Sequence, residues 1–220
     1  MKDNSTYPPL QFSVSGNIGT LMLCMPPANR MNRLFFSELE HIICHTLPKS
    51  GIKALIINSS GHHFSSGADL DEMMEDIRND KSFILENEYP GFLTENTQTF
   101  LAFSKLKIPV IAALKGICIG SAFELALFCH VRICTENTLM ALPESGFNLI
   151  PGCGGISKLT EIVGKAKAIE LVLTGKNISA TEAKELKLIY KIVQKNELIH
   201  EAEAIAMKLA AKNEFMDLIQ

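Results

Sequence analysis

The sequence predicts an α/β fold, and three observations carry that expectation. Short apolar runs of strand length alternate with longer stretches patterned as helices. Two of the runs, KALIIN at 53–58 with its apolar centre and PVIAAL at 109–114, read as fully buried strands. Neither an internal repeat nor an interdomain linker interrupts the alternation. The 220 residues are therefore expected to form one domain, with a core at about 10–195 and a C-terminal helix at about 196–212.

Residues 10–25 hold two apolar-rich strands around Gly16-Asn17, a pair that suggests a hairpin. Pro26-Pro27 ends the second strand. Asn32 is a suitable cap for an amphipathic helix carrying Leu34, Phe35, Leu39, Ile42 and Ile43. His41 and His45 have the i, i+4 spacing of a metal pair, but no HExxH pattern accompanies them, and a solvated helix face is the better reading. After the strand at 53–58, a Ser, Gly and His loop at 59–67 leads to Ala68-Asp69-Leu70 and an acidic helix through Asp76. Acidic residues suit a first helical turn. Residues 78–91 read as polar and mobile, and a helix at about 94–106 leads into the strand at 109–114. Short strands are expected at 131–135 and 138–142, and a glycine-rich turn, Gly152-Cys153-Gly154-Gly155, into a helix at 156–163. It is not a nucleotide fingerprint, because neither GxGxxG nor GxxxxGK[ST] is present. Helices at about 165–173, 179–187 and 196–211 and a strand at 188–193 complete the chain.

The segment PVIAALKGICIGSAFELA at 109–126 reads as strand, glycine-containing turn and helix N-terminus. The first amides of a helix have no intrahelical partner, and the dipole adds positive character there. An oxygen that becomes negative during a reaction is stabilised at such a place. The small residues Gly120, Ser121 and Ala122 let a ligand approach the backbone. Glu124 lies one turn in, and a carboxylate in an apolar helix is costly unless paired or used. On residue chemistry alone, an ordinary structural turn explains the segment equally well.

The net charge of −3, from 21 basic and 24 acidic residues, gives no basic excess for nucleic acid. No apolar run approaches the ~20 residues that span a bilayer, and MKDNSTYPPL at the start lacks a signal core. A cytoplasmic protein is expected. The six cysteines (Cys24, Cys44, Cys118, Cys129, Cys134 and Cys153) form no CxxC pair and read as reduced thiols rather than disulfides or metal ligands.

Five stretches together resemble the crotonase superfamily, the enoyl-CoA hydratase/isomerase family. The loop GHHFSSGADL at 61–70 looks like its first signature, and 109–126 its second. Leu142-Pro143-Glu144 with IPGCGG at 150–155 looks like its third, and VLTGKNISATEA at 172–183 and PPANRMN at 26–32 also match. The resemblance covers about residues 10–212 in the family's order. It implies a crotonase-like spiral of ββα units with a short C-terminal helical part, and an acyl-CoA thioester substrate. It also implies an oxyanion hole of two backbone amides, which fall on Ala68 and Ser121.

Glu124 and Glu144 match both positions at which family hydratases carry glutamates. The chemistry needs a pair, one to activate water at C3 of an enoyl thioester and one to protonate C2. Neighbouring carboxylates repel, so one can hold a proton near neutral pH while the other stays ionised. The resemblance assigns Glu124 to water and Glu144 to C2. It implies substrate contacts at Ala28, Arg30, His63, Ser66, Gly67, Asp69, Leu70, Gly120, Pro143 and Gly152. It implies neither metal nor separate cofactor, coenzyme A being part of the substrate, and a place in fatty acid metabolism as a homotrimer or dimer of trimers. The bland alternatives are a turn carboxylate at Glu144, an ion-pair partner at Glu124 and an ordinary loop-to-helix junction at Ala68.

Some positions depart from the family pattern. Ser121-Ala122 stand where glycines are usual, and their Cβ atoms narrow the acyl site. His130 replaces an aspartate, and Ile156-Ser157 replace Thr-Gln. The chain stops at Gln220, where many members continue with a helical segment that helps cover the acyl site and pack subunits. The leading expectation is an enoyl-CoA hydratase. The alternatives are an enoyl-CoA isomerase or other crotonase reaction, and a non-catalytic acyl-CoA-binding or assembly subunit.

Overall fold

The computed structural model describes residues 8–79 and 91–212, without the side chains of residues 91 and 92. The stretch 80–90, most of the segment read as polar and mobile, lies outside the described residues. The predicted hairpin is present: β1 (Leu10–Ser15) pairs antiparallel with β2 (Ile18–Leu23), and Gly16 takes the positive φ that the tight turn needs. From β2 onward the main sheet is parallel. It continues through β3 (Ala54–Ser59), β4 (Val110–Leu114), β6 (Val131–Thr135) and β9 (Lys191–Val193), in the order β1-β2-β3-β4-β6-β9. Parallel neighbours require crossovers, and the helices between the strands supply them.

The alternation of side chains along the strands divides the core. Ala54, Ile56, Ile111, Ala113 and Ile133 face one side, where Leu198, Ala202 and Ala206 of the C-terminal helix α9 (Leu198–Ala210) cover them. Leu55, Ile57, Val110, Ala112 and Leu114 face the other, larger cluster, which contains Phe35, Phe64, Phe100, Phe103 and Phe123. Both faces of β3 and β4 are thus buried, which is why their sequences carry no alternation.

The helix α1 (Arg33–His41) is capped as its sequence predicts, the Oδ1 of Asn32 accepting from the N–H of Phe35 at 2.9 Å. It passes through a π-helical stretch (Ile42–Thr46) into the short α2 (Leu47–Ser50). His41 and His45 face solvent with their rings 5.0 Å apart, as a solvated face would hold them. The acidic helix α3 (Leu70–Asn79) and α4 (Gly91–Ser104) follow.

One expectation needs correction. The stretch between Gly116 and Gly120 is not a simple turn: Ile117–Ile119 form a strand, β5, of a second sheet with β7 (Leu139–Ala141) and β8 (Ile178–Ser179). Three residues between two glycines are too few to show a period. The last strand is also shorter than expected, since Leu188 and Ile189 are buried ahead of Lys191–Val193 rather than within it. Cys118, Cys129, Cys134 and Cys153 are buried, Cys24 is half-buried, Cys44 is exposed, and none is paired. No helix among the described residues is long and apolar enough to cross a membrane.

Candidate active site

Two backbone segments meet beside the second sheet. The first helix residue of α5 (Ser121–Phe128) is Ser121, entered through Gly120 at φ 58°, ψ −135°. Gly120 donates to the carbonyl of Ala141 at 2.9 Å, while Phe123 and Glu124 donate back to Gly120. The N–H of Ser121 is left without an intrahelical acceptor, as at any helix start. Ala68 forms a parallel bridge with Met31, in which Met31 donates to Gly67 and Asp69 donates to Met31. In that pairing the N–H of Ala68 turns to the other side. Between the two amides sits Gly67 at φ +85°, where a Cβ would stand 2.6 Å from the carbonyl oxygen of Ile119 and 3.2 Å from the nitrogen of Ser121. Only glycine brings the backbones this close.

A clamp that sequence reasoning did not single out holds this junction. Asn29, buried and at φ 47°, aims its Nδ2 at the carbonyls of Ser60, His63 and Phe64, each 3.1 Å away. Ser65 Oγ donates to the carbonyl of Asn29 at 2.7 Å and accepts from Gly67 N–H at 3.0 Å. The one signal was an asparagine, a residue that tolerates positive φ, two residues after a double proline.

Glu124 is 1% exposed, and its Oε1 accepts from the N–H groups of Cys153 at 3.0 Å and Gly155 at 2.9 Å. Its Oε2 is buried without a hydrogen-bond partner, and so is Oε2 of Glu144. Glu144 opens a 3₁₀ turn (Glu144–Phe147) after Pro143, and its Oε1 lies 3.3 Å from where a Cβ on Gly120 would be. Burial pushes the Glu124 pKa up to about 7, against the pull of the Gly155 N–H and with added repulsion from Glu144. Burial likewise pushes Glu144 up to about 7. Two carboxyl groups with ordinary values near 4.5 are thereby poised to exchange protons at neutral pH.

Both glutamates line one apolar cavity of about 150 Å³, together with Ala68, Ser121, Ser66, Leu70, Gly120, Pro143, Gly152 and Cys153. A second cavity of about 410 Å³ adjoins it, sharing Ala68, Met73, Leu93, Ser121 and Cys153. The remaining predicted residues lie apart. Asp69 borders the second cavity, caps α3 through Oδ1 to the N–H groups of Asp71 and Glu72, and pairs with Arg30 at 3.4 Å. Ala28, Arg30 and His63 line neither cavity. Ala28 accepts from the N–H of Ser66, and the Nδ1 of His63 accepts from Ile117 at 3.2 Å, which ties that ring to β5.

The chain is similar to known proteins over most of its length. The enoyl-CoA hydratase/isomerase family profile matches residues 13–217. A Bacillus subtilis protein named "Probable enoyl-CoA hydratase" is 34% identical over 206 residues, 93% of this chain and 77% of that one. A Clostridium acetobutylicum protein named "Short-chain-enoyl-CoA hydratase" is 32% identical over 200 residues, covering 89% and 73%. Among solved structures, a Thermobifida fusca protein named "putative enoyl-CoA hydratase", in complex with CoA, superposes with a TM-score of 0.84 at 30% identity, covering 96% and 84% of the two chains. The chain belongs to the enoyl-CoA hydratase/isomerase family, within the crotonase superfamily.

Proposed function

We propose that the protein is an enoyl-CoA hydratase, adding water reversibly and syn across C2=C3 of a trans-2-enoyl-CoA thioester. One observation carries the reading: the buried Glu124 and half-buried Glu144, each with a buried carboxylate oxygen that has no hydrogen-bond partner, share a cavity with the backbone at Ala68 and Ser121. The thioester oxygen accepts from the N–H groups of Ala68 and Ser121. Ionised Glu124 takes a proton from water as the water oxygen bonds to C3. The C2=C3 electrons move towards the thioester, giving an enolate whose oxygen the two amides hold. Protonated Glu144 then delivers its proton to C2, and the enolate collapses to the 3-hydroxyacyl thioester. Values near 7 for both carboxyls suit one group held ionised and one protonated.

Names of relatives and the CoA-bound neighbour support an acyl-CoA substrate. In this reading Ser66, Gly67, Leu70, Gly120, Pro143 and Gly152 contact the thioester arm. Ala28, Arg30 and His63 lie towards the nucleotide end, and Asp69, paired with Arg30, stands between them and the second cavity. Assembly as a homotrimer or dimer of trimers belongs to the same proposal.

The test follows loss of enoyl absorbance from crotonyl-CoA with the wild type, Glu124→Gln and Glu144→Gln. Each variant is expected to lose ~10²–10⁴-fold in kcat with binding largely kept. Isomerisation of a 3-enoyl-CoA without hydration, indifferent to Glu124→Gln, would point to an isomerase. Binding of CoA esters without turnover, indifferent to Glu144→Gln, would point to a non-catalytic subunit.

A further inference from the structure

The two cavities differ in chemistry, and a small pair of side chains stands between them. The cavity with the glutamates is apolar, while the second is apolar only in its depth, at Met31, Phe36, Met73 and Leu93. Its outer wall carries Glu40, Glu72, Asp76 and Glu95, with Arg33 as the cation among its lining residues. The shared boundary includes Ser121 and Cys153, whose Oγ and Sγ are 4.0 Å apart. Ser121 is fixed by its place at the start of α5, and Cys153 by its N–H to Glu124. These backbone anchors fix where each Cβ stands, so both side chains stay at the boundary. A glycine or alanine at these positions would thin the boundary, leaving Ala68, Met73 and Leu93 to form it.

Resting on the hydratase reading, we infer that the Ser121–Cys153 pair is a septum that sets acyl length. It restricts the site to short, unbranched enoyl thioesters by closing the glutamate cavity against its larger neighbour. The Cys153 thiol suits this role as a space filler. Burial and the nearby Glu124 push its pKa well above the ordinary thiol value, so it stays protonated and compact.

Calorimetric titration of the wild type with butyryl-, hexanoyl-, octanoyl- and decanoyl-CoA tests the septum independently of turnover. A methylene that finds apolar space is worth about fourfold in affinity. Affinity is expected to rise from butyryl to hexanoyl and to stop rising by octanoyl. Cys153→Ala and Ser121→Gly are each expected to move the break towards decanoyl, changing the decanoyl-to-butyryl affinity ratio at least tenfold. The ratio of kcat/KM for decenoyl- against crotonyl-CoA should move with it. Affinity that climbs steadily to decanoyl in the wild type, or a ratio unmoved in both variants, would overturn the septum. A septum seen in binding with no hydration at any length would instead sink the hydratase reading and leave the septum standing.

Discussion

Gly155 lies against Glu124: its N–H donates to Oε1 at 2.9 Å, and a Cβ there would stand 2.5 Å from the glutamate Cγ. The glycine is thus both hydrogen-bond donor and the space in which the carboxylate lies. Gly155→Ala must displace Glu124 or the start of the helix at Gly155–Val163. The expected cost is about 1–3 kcal/mol of stability, with a fall in kcat exceeding the change in KM. Chemical denaturation and steady-state kinetics on crotonyl-CoA check it.

The two raised carboxyls make stability depend on pH. Folding lifts each from 4.5 to about 7, so the folded chain holds these protons more tightly than the unfolded chain. That contribution is complete below about 4.5 and is lost as pH rises through about 7. The loss is on the order of 3 kcal/mol for a fully expressed shift. Glu144→Gln lacks its share. Its stability relative to wild type should therefore grow between pH 5 and pH 8 and level off above. Urea titrations across that range measure it, and a difference that shrinks with pH would contradict the burial argument.

Ser121 is a helix N1 position, where proline is tolerated. Ser121→Pro removes the N–H with little demand on the helix, and Ser121→Ala keeps it. If that amide holds the enolate oxygen, the proline variant should lose ~10²–10³-fold more kcat than the alanine variant. Circular dichroism confirms that both fold. Equal rates would remove the amide from the mechanism.

Asn29 and Ser65 act on the reaction only through the Gly67–Ala68 backbone. Ser65→Ala should lower kcat while leaving KM for crotonyl-CoA near its wild-type value, and Ser65→Thr should recover part of the loss. Asn29→Ala strips donors from buried carbonyls and should cost about 2–3 kcal/mol of stability.

How much of this was legible in the sequence divides along local and distant lines. The Asn32 cap, the Gly16-Asn17 hairpin and the buried strands at 54–59 and 110–114 follow from adjacent residues alone. The second sheet was not legible, because β5, β7 and β8 have three, three and two residues and depend on partners far along the chain. The site was legible as a set of motifs, but residue chemistry could not choose between a functional and an ordinary turn at 116–122. What decides its geometry is tertiary: the bridge of Ala68 to Met31, and the loop that brings Cys153 and Gly155 to Glu124. His63 shows the reverse case, an imidazole offered by the loop whose Nδ1 is occupied by a backbone N–H 54 residues away.

The distribution of thiols gives the protein a ready reporter. The chain contains no tryptophan, so intrinsic fluorescence from that residue cannot follow ligand entry. Cys44 alone among its six cysteines is exposed, whereas Cys153 is sealed beside the acids. A maleimide dye should therefore attach first at Cys44, with the half-buried Cys24 reacting second, giving an optical probe without engineered mutations.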